Sequence, residues 1–129
     1  GLNPDVIDMY VDKGYKGFVI AGTGLGHIPH KIFKSIERAK DAGLLMVMAL
    51  QTIWGFTGMD VYETGREEQQ LGIIPAKSML PETAFAKMCW VLGNYPNLEE
   101  AKKIMQTNIA GEILNGEPEN GFKVLQGIE

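Results

Sequence analysis

Two stretches of the chain are apolar without interruption, Phe18–Ala21 and Leu44–Leu50. A short run with no polar position has no solvated face, the pattern of a strand buried on both sides of a parallel sheet. The first strand is expected over Gly17–Ala21. Between the two runs, His30–Ala42 carries Ile32, Phe33, Ile36 and Ala39 at helical spacing and stops at Asp41-Ala42-Gly43. Two buried strands joined by one helix predict a right-handed βαβ unit. Ahead of the first strand, Asn3-Pro4-Asp5 supplies a capping side chain, a proline at the first helical position and an acid near the positive helix end. Val6, Ile7, Met9, Tyr10 and Val11 then form an apolar face up to a glycine stop at Lys13-Gly14.

Past Leu50 the pattern loosens. Gln51–Asp60 mixes aromatic and small residues and predicts an irregular or short-strand segment. Tyr62 and Arg66 flank Thr64-Gly65, and Glu67-Glu68-Gln69-Gln70 reads as a solvated helical face. Leu71–Pro75 reads as a loop with apolar anchors. Leu80-Pro81-Glu82 restarts a helix whose buried side is expected to be Ala84, Phe85, Met88, Val91 and Leu92. Asn97 caps a last helix in which Glu99 and Glu100 precede Lys102 and Lys103, matching the helix dipole. A weakly ordered tail is expected from Gly116 to Glu129. The fold class implied is α/β, three-layered, with a small parallel sheet between helices.

Composition narrows the class without naming a function. At 129 residues, 45% hydrophobic and 22% charged, the chain is one globular domain's worth. A net charge of −4 argues against a generally basic nucleic-acid surface. The single Cys89 excludes an intrachain disulfide and fits a reducing cytoplasm. No run approaches the length of a membrane helix, and no signal peptide is visible. The chain opens on Gly1 rather than Met, close to a helix start, as a piece of a longer protein would.

The chemistry-bearing stretch follows the first strand: Gly22-Thr23-Gly24-Leu25-Gly26-His27. A strand, a glycine-rich turn and a helix in that order is how parallel sheets build sites at their strand ends. The dinucleotide-binding spacing is Gly-x-Gly-x-x-Gly, and Gly-x-Gly-x-Gly here departs from it. Thr23 is either a candidate nucleophile, with His27 four residues on, or a backbone-binding turn residue. Cys89, between Met88 and Trp90, reads as inert core. His27 and His30 lack a third ligand, so no metal is expected. His27 is better suited as a hydrogen-bonding group at a strand end. Arg66 could clamp a carboxylate or form a structural salt bridge. The residues show part of a site and not a full catalytic set.

Several runs, in this order, carry a resemblance: Gly22-Thr-Gly-Leu-Gly-His-Ile-Pro29, Gln51-Thr-Ile-Trp-Gly55, Val61-Tyr-Glu-Thr-Gly-Arg66, Gly72-Ile-Ile-Pro75, Met79-Leu-Pro-Glu82 with Lys87, Trp90-Val-Leu-Gly93 and Thr107-Asn-Ile-Ala-Gly-Glu-Ile113. Together they resemble the C-terminal domain of the type I L-asparaginase family, in particular the branch that supplies the D subunit of archaeal glutamyl-tRNA(Gln) amidotransferases. Thr52 stands where the family often has Cys, and Gly58 where Asn is common. The resemblance implies an α/β domain over 1–115 and a larger N-terminal catalytic domain that this chain lacks. It implies no cofactor. It places the amide-cleaving threonines, aspartate and lysine in that N-terminal domain, so no catalytic residue is expected here. Thr23, Gly24 and His27 are the implied substrate-binding residues for asparagine or glutamine, with His27 where the family has Asn. Gln51, Thr52, Tyr62 and Arg66 are implied effector or interface residues.

The partners implied are a second copy in an intimate dimer and the E subunit of the amidotransferase, which uses the released ammonia in an ATP-dependent amidation complex. Contact with tRNA is only indirect, and no membrane is involved. Two other readings stay open: a free-standing type I asparaginase, and a non-catalytic small-ligand module using the glycine turn.

Overall fold

The computed structural model describes residues 2–114. In chain order these form α1 (Pro4–Asp12), β1 (Gly17–Gly22), a short 3-10 turn at His30–Ile32 leading into α2 (Phe33–Asp41), β2 (Leu45–Leu50), α3 (Glu63–Gln70), β3 (Ile73–Pro75), α4 (Pro81–Asn94) and α5 (Leu98–Met105). The strands form one parallel sheet in the order β1-β2-β3, with Gly17 opposite Leu45 and Met46 opposite Ile73. The tail expected over Gly116–Glu129 lies outside the described residues.

β2 is the middle strand and is buried at all six positions, as its unbroken apolar sequence requires. Alternation divides it between two cores. Met46 and Met48 pack with Ile7, Ile32 and Ile36 beneath α1 and α2. Leu45, Val47 and Ala49 pack with Ala84, Met88, Val91 and Met105 beneath α4 and α5. Each large side chain fully buried this way stabilises the fold by about 1.5–3 kcal/mol. The result is the expected three-layer α/β arrangement. Helix starts follow the sequence signals: Asn3 accepts from the Asp5 N–H at 3.3 Å and Asn97 from the Glu100 N–H at 3.0 Å.

Three expectations need correction here. Leu71–Pro75 is not a loop throughout, since Ile73–Pro75 pairs with Met46–Met48. Three residues are too few to show a period, and the ladder to β2 makes them a strand. Phe85 is not on the buried side of α4, where Ala84, Lys87, Met88 and Val91 lie, but is 60% exposed. Cys89 is exposed as well and not core. Phe85 and Cys89 are four apart, one position round from the buried Ala84–Met88 row, and one position is about 100° on a helix.

Beyond α5 the chain folds back against α4. The Lys87 ammonium pairs with the Glu112 carboxylate and also donates to the Thr107 carbonyl, while Glu112 accepts from the Ile109 and Ala110 N–H groups at 3.1 and 2.6 Å. Lys87 holds Glu112 down at about 2, well below the usual carboxylate range. On the opposite side of the sheet, the outer edge of β1 has no ladder partner among the described residues. With α1 it borders a groove lined by Leu2, Val6, Tyr10, Phe18 and Ile20.

Candidate functional site at the end of the central strands

The segment after β1 doubles back on itself. The Thr23 N–H donates to the His27 carbonyl at 3.1 Å, and the His27 N–H donates to the Thr23 carbonyl at 2.9 Å, closing a five-residue turn. Tight packing below demands its glycines. A Cβ on Gly22 would lie 2.5 Å from Met48 Sδ, and one on Gly26 would lie 2.9 Å from Met48 Cγ, at a backbone φ of +106° that only glycine adopts freely. The Met48 side chain on β2 therefore supports the whole turn from beneath.

Thr23 and Gly24 are exposed at the tip, and His27 is partly buried. The Thr23 hydroxyl donates to the His27 carbonyl at 3.4 Å, within its own turn. That proton goes to a backbone carbonyl, and among the described residues no side-chain base receives it. The His27 ring is better placed. Its Nδ1 lies 3.2 Å from the Thr64 hydroxyl and 4.0 Å from Glu68 Oε1, and its edge meets the Tyr62 ring with centroids 5.4 Å apart. Gln51 extends the β1–β2 ladder past the strands: its N–H donates to the Gly22 carbonyl at 3.1 Å and its side-chain amide to the Ala21 carbonyl at 2.9 Å. Thr52 and Arg66 are exposed and make no side-chain hydrogen bond or ion pair among the described residues. The structure thus gathers Thr23, Gly24, His27, Tyr62 and Gln51 at one end of the sheet, and leaves Thr52 and Arg66 uncommitted.

Glu68 is the residue that sequence reasoning misses. In place of a solvated face, α3 buries Glu68 completely. Its Oε1 accepts the Ile28 N–H at 2.9 Å, and Oε2 is buried with no partner among the described residues. Burial pushes its carboxyl up to about 7, against the lowering effects of the Ile28 N–H and of His30, while Glu67 raises it further. A signal is present. Residues 63–70 contain no large apolar side chain, so this helix must bury something else. Gly65 and Glu68 are three apart on one face, and Gly65 sits where a Cβ would come 2.2 Å from the Met59 carbonyl oxygen. That contact brings α3 close enough for a side chain to reach under the turn.

Among the described residues, no group of three or more His, Cys, Asp or Glu is placed to hold a metal ion. No helix there is long and apolar enough to cross a membrane.

The glutaminase/asparaginase C-terminal domain family matches residues 1–105, and the chain belongs to that family. The D subunit of the glutamyl-tRNA(Gln) amidotransferase of Pyrococcus abyssi is 54% identical over 88% of this chain, and that of Methanopyrus kandleri 46% over 98%. The chain spans about a quarter of those relatives, 26% and 28% of their lengths. Among solved structures, the thermostable L-asparaginase of Thermococcus kodakarensis matches with a TM-score of 0.82 at 34% identity, over 90% of this chain and 36% of that one. L-asparaginase I of Vibrio cholerae matches with a TM-score of 0.79 at 27% identity, over 88% and 35%.

Proposed function

We propose that this chain is the C-terminal domain of the D subunit of a glutamyl-tRNA(Gln) amidotransferase, working in the cytoplasm, and that it forms one wall of the pocket in which asparagine or glutamine loses its side-chain amide as ammonia. The observation carrying this reading is the 46–54% identity to amidotransferase D subunits over nearly the whole chain, against 27–34% to the asparaginases above. A free-standing asparaginase and a non-catalytic binding module are not favoured.

In this reading the Thr23–His27 turn touches substrate and a threonine of the N-terminal domain cleaves the amide. His27 supplies a hydrogen bond at a strand end, and the Thr23 and Gly24 backbone lets the substrate approach closely. Tyr62, Arg66, Gln51 and Thr52 lie toward the second copy of a dimer or an effector, and the E subunit receives the ammonia for amidation of Glu-tRNA(Gln). The β1 edge, without a ladder partner among the described residues, and the exposed Trp54 and Phe56 are consistent with a covered, oligomeric state.

The test uses the full-length protein together with the E subunit of the amidotransferase. His27→Ala is expected to weaken substrate binding by about 1–3 kcal/mol, the effect of an unpaired polar group, with a smaller change in kcat. The 129-residue chain alone is expected to release no ammonia. Ammonia release by that chain, or a His27→Ala loss confined to kcat, would overturn the reading, and an intact protein that supplies no ammonia to Glu-tRNA(Gln) amidation would reduce it to a plain asparaginase.

A further inference from the structure

Thr64 and Glu68 stand one helical turn apart on α3 and bracket His27 from the interior side. Thr64 reaches the ring at Nδ1, and Glu68 fixes the backbone at Ile28 while its Oε1 stays 4.0 Å from the same Nδ1. A neutral imidazole has one donor and one acceptor nitrogen, and whatever holds one of them decides the role of the other. With a neutral Glu68, Nδ1 accepts from the Thr64 hydroxyl, and Nε2–H is left as a donor. With an ionised Glu68, a proton on Nδ1 is favoured by the negative oxygen, the Thr64 hydroxyl accepts, and Nε2 turns into an acceptor.

We propose that Glu68 is a positioning residue that selects the tautomer of His27, and with it whether the pocket wall offers the substrate a hydrogen-bond donor or an acceptor. Glu68 does this from inside the domain, without touching substrate. Its complete burial and the lack of any partner for Oε2 among the described residues favour the neutral carboxyl, since an unsatisfied buried anion is far costlier than a neutral acid. The titratable groups around it are His27, His30 and Glu67. Burial pushes its carboxyl up to about 7, which puts both of its charge states within reach of a pH titration around neutrality. The inference rests on the reading that the Thr23–His27 turn lines the substrate pocket.

The experiment compares the full-length wild type with Glu68→Gln, which keeps an acceptor for the Ile28 N–H and removes the charge change. KM and kcat for asparagine and glutamine are measured from about pH 5.5 to 8.5, a range that spans the change of charge on Glu68, with melting temperatures alongside. Histidine nitrogen NMR shifts report the His27 tautomer, assigned by loss of the signal in His27→Asn. The wild-type KM is expected to change at least threefold across this range while kcat changes little, and Glu68→Gln is expected to flatten the KM profile with Nε2 protonated throughout. A Glu68→Gln protein that folds but keeps the wild-type KM profile, or a His27 tautomer unaffected by the substitution, overturns the inference. His27→Asn with unaltered KM and kcat would instead overturn the reading of the turn as a pocket wall, and the inference with it.

Discussion

Two carboxyl groups in this domain depart from ordinary acids in opposite ways. Glu112 meets a lysine and two backbone N–H groups and stays ionised, at about 2. Glu68 meets one backbone N–H and an apolar interior, and is pushed up to about 7. The surroundings, and not the residue type, decide which acid is a permanent clamp and which is adjustable. The clamp lies against α4 and fastens the last described segment to the body of the domain. The adjustable group lies beneath the glycine turn.

Breaking the clamp gives the largest effect. Lys87→Met leaves Glu112 without its cation, and about 3 kcal/mol of stability should disappear, as when one partner is removed from a buried pair. A urea midpoint unchanged from wild type would show that Glu112 is already compensated by the backbone alone.

The pH dependence of stability sharpens the contrast, because the two acids pull in opposite directions. For Glu112 the folded value lies below the ordinary 4.5, so its stabilisation is present above pH 4.5 and is lost as pH falls toward 2. Glu112 keeps some contact with water, so the loss is on the order of 2 kcal/mol. For Glu68 the folded value lies above 4.5, so the folded state holds the proton more tightly, and stability falls as pH rises from 4.5 to 7. That fall is on the order of 1–3 kcal/mol. Urea midpoints from about pH 2.5 to 8 should lose the acidic slope in Glu112→Gln and the neutral slope in Glu68→Gln. A Glu68→Gln profile parallel to wild type between pH 4.5 and 7 would mean that Glu68 is ionised throughout.

The smallest effect tests how firmly the turn is tied to α3. Thr64→Val removes the hydroxyl at His27 Nδ1 and should change stability by less than about 1 kcal/mol, the usual range for one hydrogen bond at a partly exposed site. A loss several times larger, read from the same urea titrations, would place Thr64 with Lys87 among the clamps.

The adjustable site and the clamp also differ in how much of each is legible in the sequence. The sheet that carries both is readable because β1 and β2 are short apolar runs without a polar side, but only β2 is buried throughout; β1, expected to be buried on both faces, alternates between buried and less buried positions and leaves Ala21 exposed. The turn is readable because its glycines follow β1 directly. β3 is hidden, because three residues pairing with β2 leave no periodic trace. Phe85 misleads because its size suggests burial while its position on α4 turns it outward. Glu68 is invisible inside Glu67-Glu68-Gln69-Gln70, since burial of an acid is set by tertiary contact, here the approach of Gly65 to Met59. Lys87 stands out only within the motif it resembles, and its partner Glu112 lies 25 positions on, beyond the reach of local pattern.

Met48 carries a consequence for how this sequence drifts. Its thioether fills the space that side chains at both Gly22 and Gly26 would need, so the three positions cannot change independently. An alanine arriving first at Gly22 meets that sulfur at 2.5 Å; arriving after Met48 has been shortened, it loses that clash but still presses on the Gly26 and His27 backbone at 3.0 and 3.1 Å. At Gly26 the same history helps only in part, because the backbone there still turns in the left-handed sense. The order of substitutions thus decides which are tolerated, and a central-strand methionine governs how fast the turn above it can vary.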